Sequence, residues 1–344
     1  MNPLILSIML SNLALGLIIT ATSFHWLLAW IGLELNTLAI LPILANKHHP
    51  RATEATAKYF IIQATASSVI LFSSTLNAWH TGIWDINQLT LPLSTTMLTI
   101  ALTMKLGLAP MHFWLPEVMQ GATLSSALII TTWQKLPPMT LLYLTSPNLP
   151  TSILFTLAIA STLVGGWSGL NQTQMRKIMA YSSIAHLGWM SAILSLSQNL
   201  LLFTLFTYIL MTTSMFFILI VSSSKTSKDI GQLWSTSPTT TSISLLTLIS
   251  LGGLPPLIGF LPKWLILKEL TVYHLSPLAI ALALSSLLSL MFYMRLTYTT
   301  TLTISPNTTN SMMKWRFKLT KPLNLPSIIT MILTLTPLLP LVSP

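Results

Sequence analysis

The sequence has no cysteine among its 344 residues. That removes disulfides, thiolate nucleophiles and cysteine-ligated zinc or iron–sulfur clusters from this chain. Charge is nearly as scarce. Only 6% of residues are Asp, Glu, Lys or Arg, against roughly 25% in a soluble protein, so a water-facing surface cannot be furnished. Sixteen basic residues against six acids leave a net charge of +10. Such a balance can mark nucleic-acid binding, but here the bases form no stripe and apolar stretches separate them, so no nucleic-acid partner is expected. Apolar residues are what the chain has in plenty. They make up 52% of it, the mean hydropathy is +0.74, and the class is an integral membrane protein. Soluble enzyme, secreted module and disordered tail are excluded.

Met1-Asn2-Pro3 runs directly into Leu4-Ile5-Leu6. It lacks the basic start of a secretory signal and the Arg-rich amphipathic start of a transit peptide. The mature chain is therefore expected to begin at Met1, with its first apolar run retained as a span. A crossing needs about 20 mostly apolar residues. Cutting at polar and Pro/Gly punctuation gives eleven candidates, near 3–22, 24–45, 54–79, 93–118, 122–144, 149–170, 174–195, 199–222, 238–272, 275–302 and 324–343. So little sequence is left over that the expected fold is all-α, one polytopic membrane helix bundle.

Cationic residues set the orientation. Lys47, Arg51 and Lys58, then Arg176 and Lys177, then Lys225 and Lys228, then Lys314, Arg316, Lys318 and Lys321 flank the even-numbered connections. The odd-numbered connections hold almost none, Lys268 being the main exception. The N-terminus is expected on the positive side and the C-terminus on the other.

Two candidates do not read as plain helices. The fourth contains Lys105-Leu106-Gly107-Leu108-Ala109-Pro110, and Pro110 leaves the Leu106 carbonyl without its helical donor. The ninth contains Gly252-Gly253-Leu254-Pro255-Pro256, which frees the carbonyls of Leu251 and Gly252. Exposed carbonyls are costly in lipid, so broken backbone belongs where it is buried or meets water. A packing kink is the plainer reading of either break alone. Their placement five spans apart says more, because two five-helix units must then run in opposite directions. Paired broken helices in inverted halves point to an ion or substrate site.

One acid and three lysines fall within the spans: Glu34, Lys105, Lys135 and Lys263. Glu34 lies mid-span, where a carboxylate is expensive unless protonated, paired or hydrated. Each lysine also suits a snorkelling role, and Lys135 precedes Pro137-Pro138, which could bend the chain near the headgroups. Together the four offer proton handling, since burial and an opposite charge act in opposite senses on proton affinity. His112 and His186 can extend such a path, although a lone membrane histidine also serves helix packing. Arg295 suits snorkelling or lipid contact. Glu54 and Lys58 form an ordinary i,i+4 pair, and Gly165-Gly166-Trp167-Ser168-Gly169 suits helix packing. Without a G-x-G-x-x-G after a strand or a P-loop, NADH and ATP have no evident seat.

Several stretches resemble the antiporter-like subunits of the membrane arm of respiratory complex I, in their mitochondrially encoded animal form. They are Trp30–Pro42 (WIGLELNTLAILP), Glu54–Ser67 (EATAKYFIIQATAS), Lys105–Val118 (KLGLAPMHFWLPEV), Gly165–Met190 (GGWSGLNQTQMRKIMAYSSIAHLGWM) and Leu248–Trp264 (LISLGGLPPLIGFLPKW). The resemblance covers essentially the whole chain and is least distinctive beyond about 275. It implies a proton-translocating subunit of NADH:ubiquinone oxidoreductase in the mitochondrial inner membrane, with its N-terminus in the matrix and its C-terminus in the intermembrane space. It implies two inverted five-helix repeats, about 1–145 and 149–302, each with a broken helix, and a C-terminal helix at about 324–343. The family's first-repeat acid falls on Glu34, its broken-helix lysine on Lys105, the linking lysine on Lys135 and the second broken-helix residue on Lys263, with His186 in a recurrent Ser-Ser-Ile-Ala-His stretch.

The same resemblance puts FMN, iron–sulfur clusters and ubiquinone in other subunits, and no cofactor in this chain. Its partners would be other membrane-arm subunits, including a neighbouring antiporter-like subunit and small membrane subunits, together with lipid; cardiolipin would suit the basic loops. Compared with longer bacterial relatives, three N-terminal helices are lacking. Two other readings stay open: a cation/proton antiporter subunit, and a scaffold that holds the membrane arm without pumping.

Overall fold

The computed structural model describes residues 3–302 apart from 48 and 256. The eleventh expected span at 324–343 and the basic connection at 303–323 lie outside the described residues. Within them the regular structure is helical, with two isolated β-bridges. In chain order the helices are α1 (Pro3–Thr22), α2 (Trp26–Leu44), α3 (Pro50–Thr81), α4 (Pro92–Leu106), α5 (Trp114–Gly121), α6 (Leu124–Thr131) and α7 (Leu136–Thr145). There follow α8 (Thr151–Gly169), α9 (Met175–Ile193), α10 (Gln198–Ser222), α11 (Ser227–Thr236), α12 (Pro238–Gly252), α13 (Phe260–Val272) and α14 (Ser276–Leu302).

Helices α1, α2, α3, α8, α10 and α14 are each long and apolar enough to cross a membrane. The fourth and ninth expected spans are interrupted, as α4 with α5 and α12 with α13. The fifth differs from its sequence reading, for it too is in two pieces, α6 and α7. Thr132 leaves helical geometry at φ −111°, ψ −69°, and Trp133–Lys135 form a 3-10 turn. Pro137 and Pro138 carry no N–H for the carbonyls of Trp133 and Gln134, so a regular helix cannot run on through the turn, and the two prolines sit in the first turn of α7.

The chain divides into two compact units: Met1–Ser161 with Met190–Gln198, and Thr162–Trp189 with the chain from Asn199. In the first, α1 and α2 touch through their backbones. A Cβ on Gly16 would sit 2.8 Å from the Gly32 carbonyl oxygen, and one on Gly32 would sit 2.6 Å from Thr20. Such close approach needs small residues on both helices. The α3 helix lies against α4 and α5. His25 caps α2 by accepting from the Leu27 N–H at 3.2 Å, and its ring stacks on Trp84.

In the second unit Gly165 lets α8 meet α9, since a Cβ there would be 2.8 Å from the Ala185 nitrogen. Gly166 and Gly169 receive Leu288 and Phe292 of α14. The short α11 stands where only a basic loop was read. A reciprocal capping box starts it: the Asp229 N–H donates to Thr226 Oγ1, and the Thr226 and Lys225 N–H groups donate to the Asp229 carboxylate at 2.8 and 2.9 Å. Those two backbone donors hold the Asp229 carboxyl below its ordinary range. Arg295 corrects another reading. Rather than only snorkelling, its guanidinium donates to the carbonyls of Leu170 and Gln172 and pins the turn between α8 and α9.

Candidate functional site

The two interrupted helices are built alike. First halves α4 and α12 each have 15 residues and start with proline. Each ends on a left-handed glycine, Gly107 at φ 79°, ψ 38° and Gly253 at φ 79°, ψ 42°. The Leu108 N–H returns to the Thr103 carbonyl at 3.0 Å, and that of Leu254 to Ile249 at 3.4 Å, so both ends close by the same wrapped hydrogen bond. Second halves α5 and α13 follow after links of equal length, 107–113 and 253–259. A constant shift of 146 residues therefore superposes Leu-Gly-Leu-Ala-Pro on Gly-Gly-Leu-Pro-Pro, and Trp-Leu-Pro-Glu on Phe-Leu-Pro-Lys.

Ending a helix in the membrane leaves carbonyls that need donors. At the end of α4 three consecutive ones are met by side chains. Trp114 Nε1 donates to Met104 at 3.2 Å, Gln63 Nε2 to Lys105 at 3.3 Å, and Lys135 Nζ to Leu106. The Lys135 ammonium also lies 5.8 Å from the Trp114 ring centroid, a cation–π contact. Lys135 is only 3% exposed, so it is a buried group and not a headgroup anchor.

Lys105 precedes the same break and is 4% exposed. Its Nζ has no hydrogen-bond partner among the described residues. Glu34, half-buried on α2, lies within electrostatic reach of it and of the buried Tyr59 on α3. The Glu34 carboxylate accepts from Thr37 Oγ1 at 3.0 Å. Both side-chain polar atoms of Asn36, beside it in sequence, are buried with no hydrogen-bond partner among the described residues. His112 sits in the link between α4 and α5, off any helix face shared with Lys105, with Nδ1 3.1 Å from the Pro110 carbonyl.

Lys263 falls on the other side of its break, as the fourth residue of α13. Its Nζ donates to the Gly252 carbonyl at 2.9 Å. His186, on α9, lies within electrostatic reach of Lys263 and has its ring centroid 5.6 Å from that of Tyr208. The first unit thus gathers Glu34 and Lys105, with Lys135 at the carbonyl end of α4; the second gathers Lys263 and His186.

One charged group was missed. Glu117 on α5 pairs with Lys58 at 2.7 Å, and Lys58 also pairs with Glu54 at 2.5 Å. The shift of 146 residues, which puts Glu117 on Lys263, was the signal that could have singled it out.

Chemically, carboxyl, amine and imidazole groups such as these can take up and release protons. An ammonium at the carbonyl end of a helix faces the negative pole of its dipole, and its hydrogen bond there is charge-assisted. A buried ammonium without an acceptor has no such support. Among the described residues no cluster of three or more His, Asp or Glu is placed to hold a metal ion.

Comparison with known proteins bears on this arrangement. The family described as NADH:quinone oxidoreductase/Mrp antiporter, transmembrane, matches residues 23–289, and NADH dehydrogenase subunit 2 C-terminus matches 290–343. NADH-ubiquinone oxidoreductase chain 2 of Xenopus laevis is 56% identical over 95% of this chain and 95% of its own length. That of Salmo salar is 56% identical over 100% of this chain and 99% of its own. A chain of respiratory complex I from Thermus thermophilus has a TM-score of 0.86 at 26% identity, covering 99% of this chain and 80% of that one. A chain of an archaeal membrane-bound sulfane sulfur reductase shares the fold, with a TM-score of 0.79 at 19% identity, over 96% of this chain and 73% of its own. The chain belongs to the NADH:quinone oxidoreductase/Mrp antiporter family and, within it, to the NADH-ubiquinone oxidoreductase chain 2 group.

Proposed function

We propose that this chain is a proton-translocating membrane-arm subunit of NADH:ubiquinone oxidoreductase in the mitochondrial inner membrane. Glu34, Lys105, Lys135 and Lys263 carry the protons, with His186 and His112 as relays. One observation carries this reading: Lys105 Nζ is buried with no hydrogen-bond acceptor among the described residues, near the half-buried Glu34. A charge left so in the membrane is expensive and is retained for function.

In this reading NADH oxidation and quinone reduction occur in other subunits, which hold the FMN, iron–sulfur clusters and ubiquinone. Their turnover changes the pairing of Glu34 with Lys105. A change of charge at one site alters proton affinity at the next, and the proton moves on toward Lys135 and Lys263. Moving each charge against a potential takes about 2.3 kcal/mol per 100 mV, an amount the redox partner supplies.

The matching architecture of α4/α5 and α12/α13 supports two inverted repeats of five crossings, and the apolar sequence of 324–343 supports an eleventh. The basic connections support a matrix N-terminus and an intermembrane-space C-terminus. Neighbouring membrane-arm subunits and anionic lipid complete the environment.

A native gel of mildly solubilised membranes tests the assignment, probed for this chain and stained for NADH dehydrogenase activity. The chain is expected only in the large active band. Migration alone or in a smaller inactive band would overturn the reading in favour of a free-standing cation/proton antiporter, for which sodium transport is the next assay.

A further inference from the structure

Lys135 and Lys263 stand at unrelated places in the chain, one at the end of a 3-10 turn and one within a second half-helix. Their ammonium groups nevertheless end at equivalent atoms. The shift of 146 residues carries the Leu106 carbonyl, which Lys135 meets, onto the Gly252 carbonyl, which Lys263 meets at 2.9 Å. By the same shift Lys105 falls on Leu251, so the lysine that meets the equivalent carbonyl in the first unit is Lys135.

Space for the second docking comes from a residue without a side chain. Gly253 has φ 79°, and a Cβ on it would lie 2.9 Å from Lys263 Nζ and 3.0 Å from its Cδ. The backbone turn needs a residue that tolerates the left-handed region. The lysine needs that residue to be bare. A Cβ on Gly107, at the equivalent place, would lie 3.3 Å from the Trp114 ring, the ring above which the Lys135 ammonium lies.

Resting on the proton-translocation reading, we infer that the last carbonyl of each first half-helix is a docking acceptor for a proton-carrying lysine, and that Gly253 is the positioning residue that admits Lys263 to it. The docked group is Lys263 Nζ–H···O=C of Gly252. Charge-assisted hydrogen bonds are about twice as strong as neutral ones. When the ammonium passes its proton to a water molecule the hold on the carbonyl weakens, and the neutral amine is free to swing away and take up the next proton. Atoms and charge balance: one proton and its positive charge go from the Lys263 ammonium to water, leaving a neutral amine, and the carbonyl neither gains nor loses a proton.

The test uses asparagine, which tolerates the left-handed region better than other side chains, so that strain and displacement are separated. Gly82 is the control, with φ 71° and nothing within 4 Å of a Cβ. In the intact complex, Gly253→Asn and Gly82→Asn are compared for assembly, NADH oxidation by an artificial acceptor, and protons pumped per electron in vesicles. Gly253→Asn is expected to lower protons per electron with assembly and acceptor activity retained, while Gly82→Asn matches the parent. Equal pumping in the two variants would overturn the inference. If Gly253→Asn fails to assemble, Gly252 carbonyl labelling replaces it: infrared spectra of the parent and of Lys263→Met should differ in that one carbonyl band, and identical spectra overturn the inference. Lys263→Met also separates the two claims. If it lowers pumping while Gly253→Asn does not, docking by Gly253 fails alone; if neither lowers it, the proton role of Lys263 fails with it.

Discussion

Glu117 and Lys263 occupy the same place in two matching elements, each the fourth residue of the helix that follows a left-handed glycine break, yet they carry opposite charge. The difference changes what each can hold. Lys263 reaches back to the carbonyl of Gly252, whereas Glu117 turns to Lys58 at 2.7 Å, and Lys135 takes over the carbonyl of Leu106.

Glu117→Gln should therefore be mild. Its side chain is half exposed and Lys58 keeps Glu54 at 2.5 Å, and pairs so exposed contribute little to folding. Assembly and protons pumped per electron should stay near the parent values, and well above those of Lys263→Met. A loss as large as that of Lys263→Met would place Glu117 on the path.

Glu34→Gln and Glu54→Gln form a second comparison. Glu34 is half-buried, holds the Thr37 hydroxyl and lies near Lys105, while Glu54 is 61% exposed at its side chain. Coupled quinone reduction should fall with the first substitution and hold with the second. Equal effects would count against burial as the source of function.

Asp229 gives a prediction on pH outside the membrane spans. Because its folded value is lowered, the stability it lends is fully present above the ordinary carboxylate value of 3.8 and drains only as pH falls through the lower folded value. Hydrogen-exchange protection at the Lys225 and Thr226 amides should hold constant from about pH 7 to pH 5. Asp229→Ala should remove it at both, at a cost on the order of 1 kcal/mol in line with other helix caps. Protection that drains with acid across this window would contradict the capping-box account.

Much of this was legible in the sequence because membrane spans and breaks are local signals. Apolar length marks a crossing, and Gly107-Leu108-Ala109-Pro110 and Gly252-Gly253-Leu254-Pro255 mark where helices stop. The freed carbonyls of Leu106 and Gly252 follow from proline chemistry alone. Which side chains meet them does not, because Lys135 lies 29 positions from Leu106 and no local pattern links the two. Arg295 was misjudged for the same reason, its acceptors lying more than a hundred positions away. The break between α6 and α7 was underrated because Pro137-Pro138 reads equally as a bend near the headgroups. Thr226 and Asp229, by contrast, are a local capping pattern that could have announced α11.

The most direct test of the central claim is protons pumped per electron in vesicles carrying the complex with Lys105→Met. Its Nζ is buried and has no hydrogen-bond acceptor among the described residues, so an apolar side chain of similar length breaks no hydrogen bond, Glu34 keeps the Thr37 hydroxyl, and folding should not be harmed. The account predicts full assembly, unchanged or raised thermal stability of the complex, and fewer protons pumped per electron. Full assembly with pumping unchanged would contradict it.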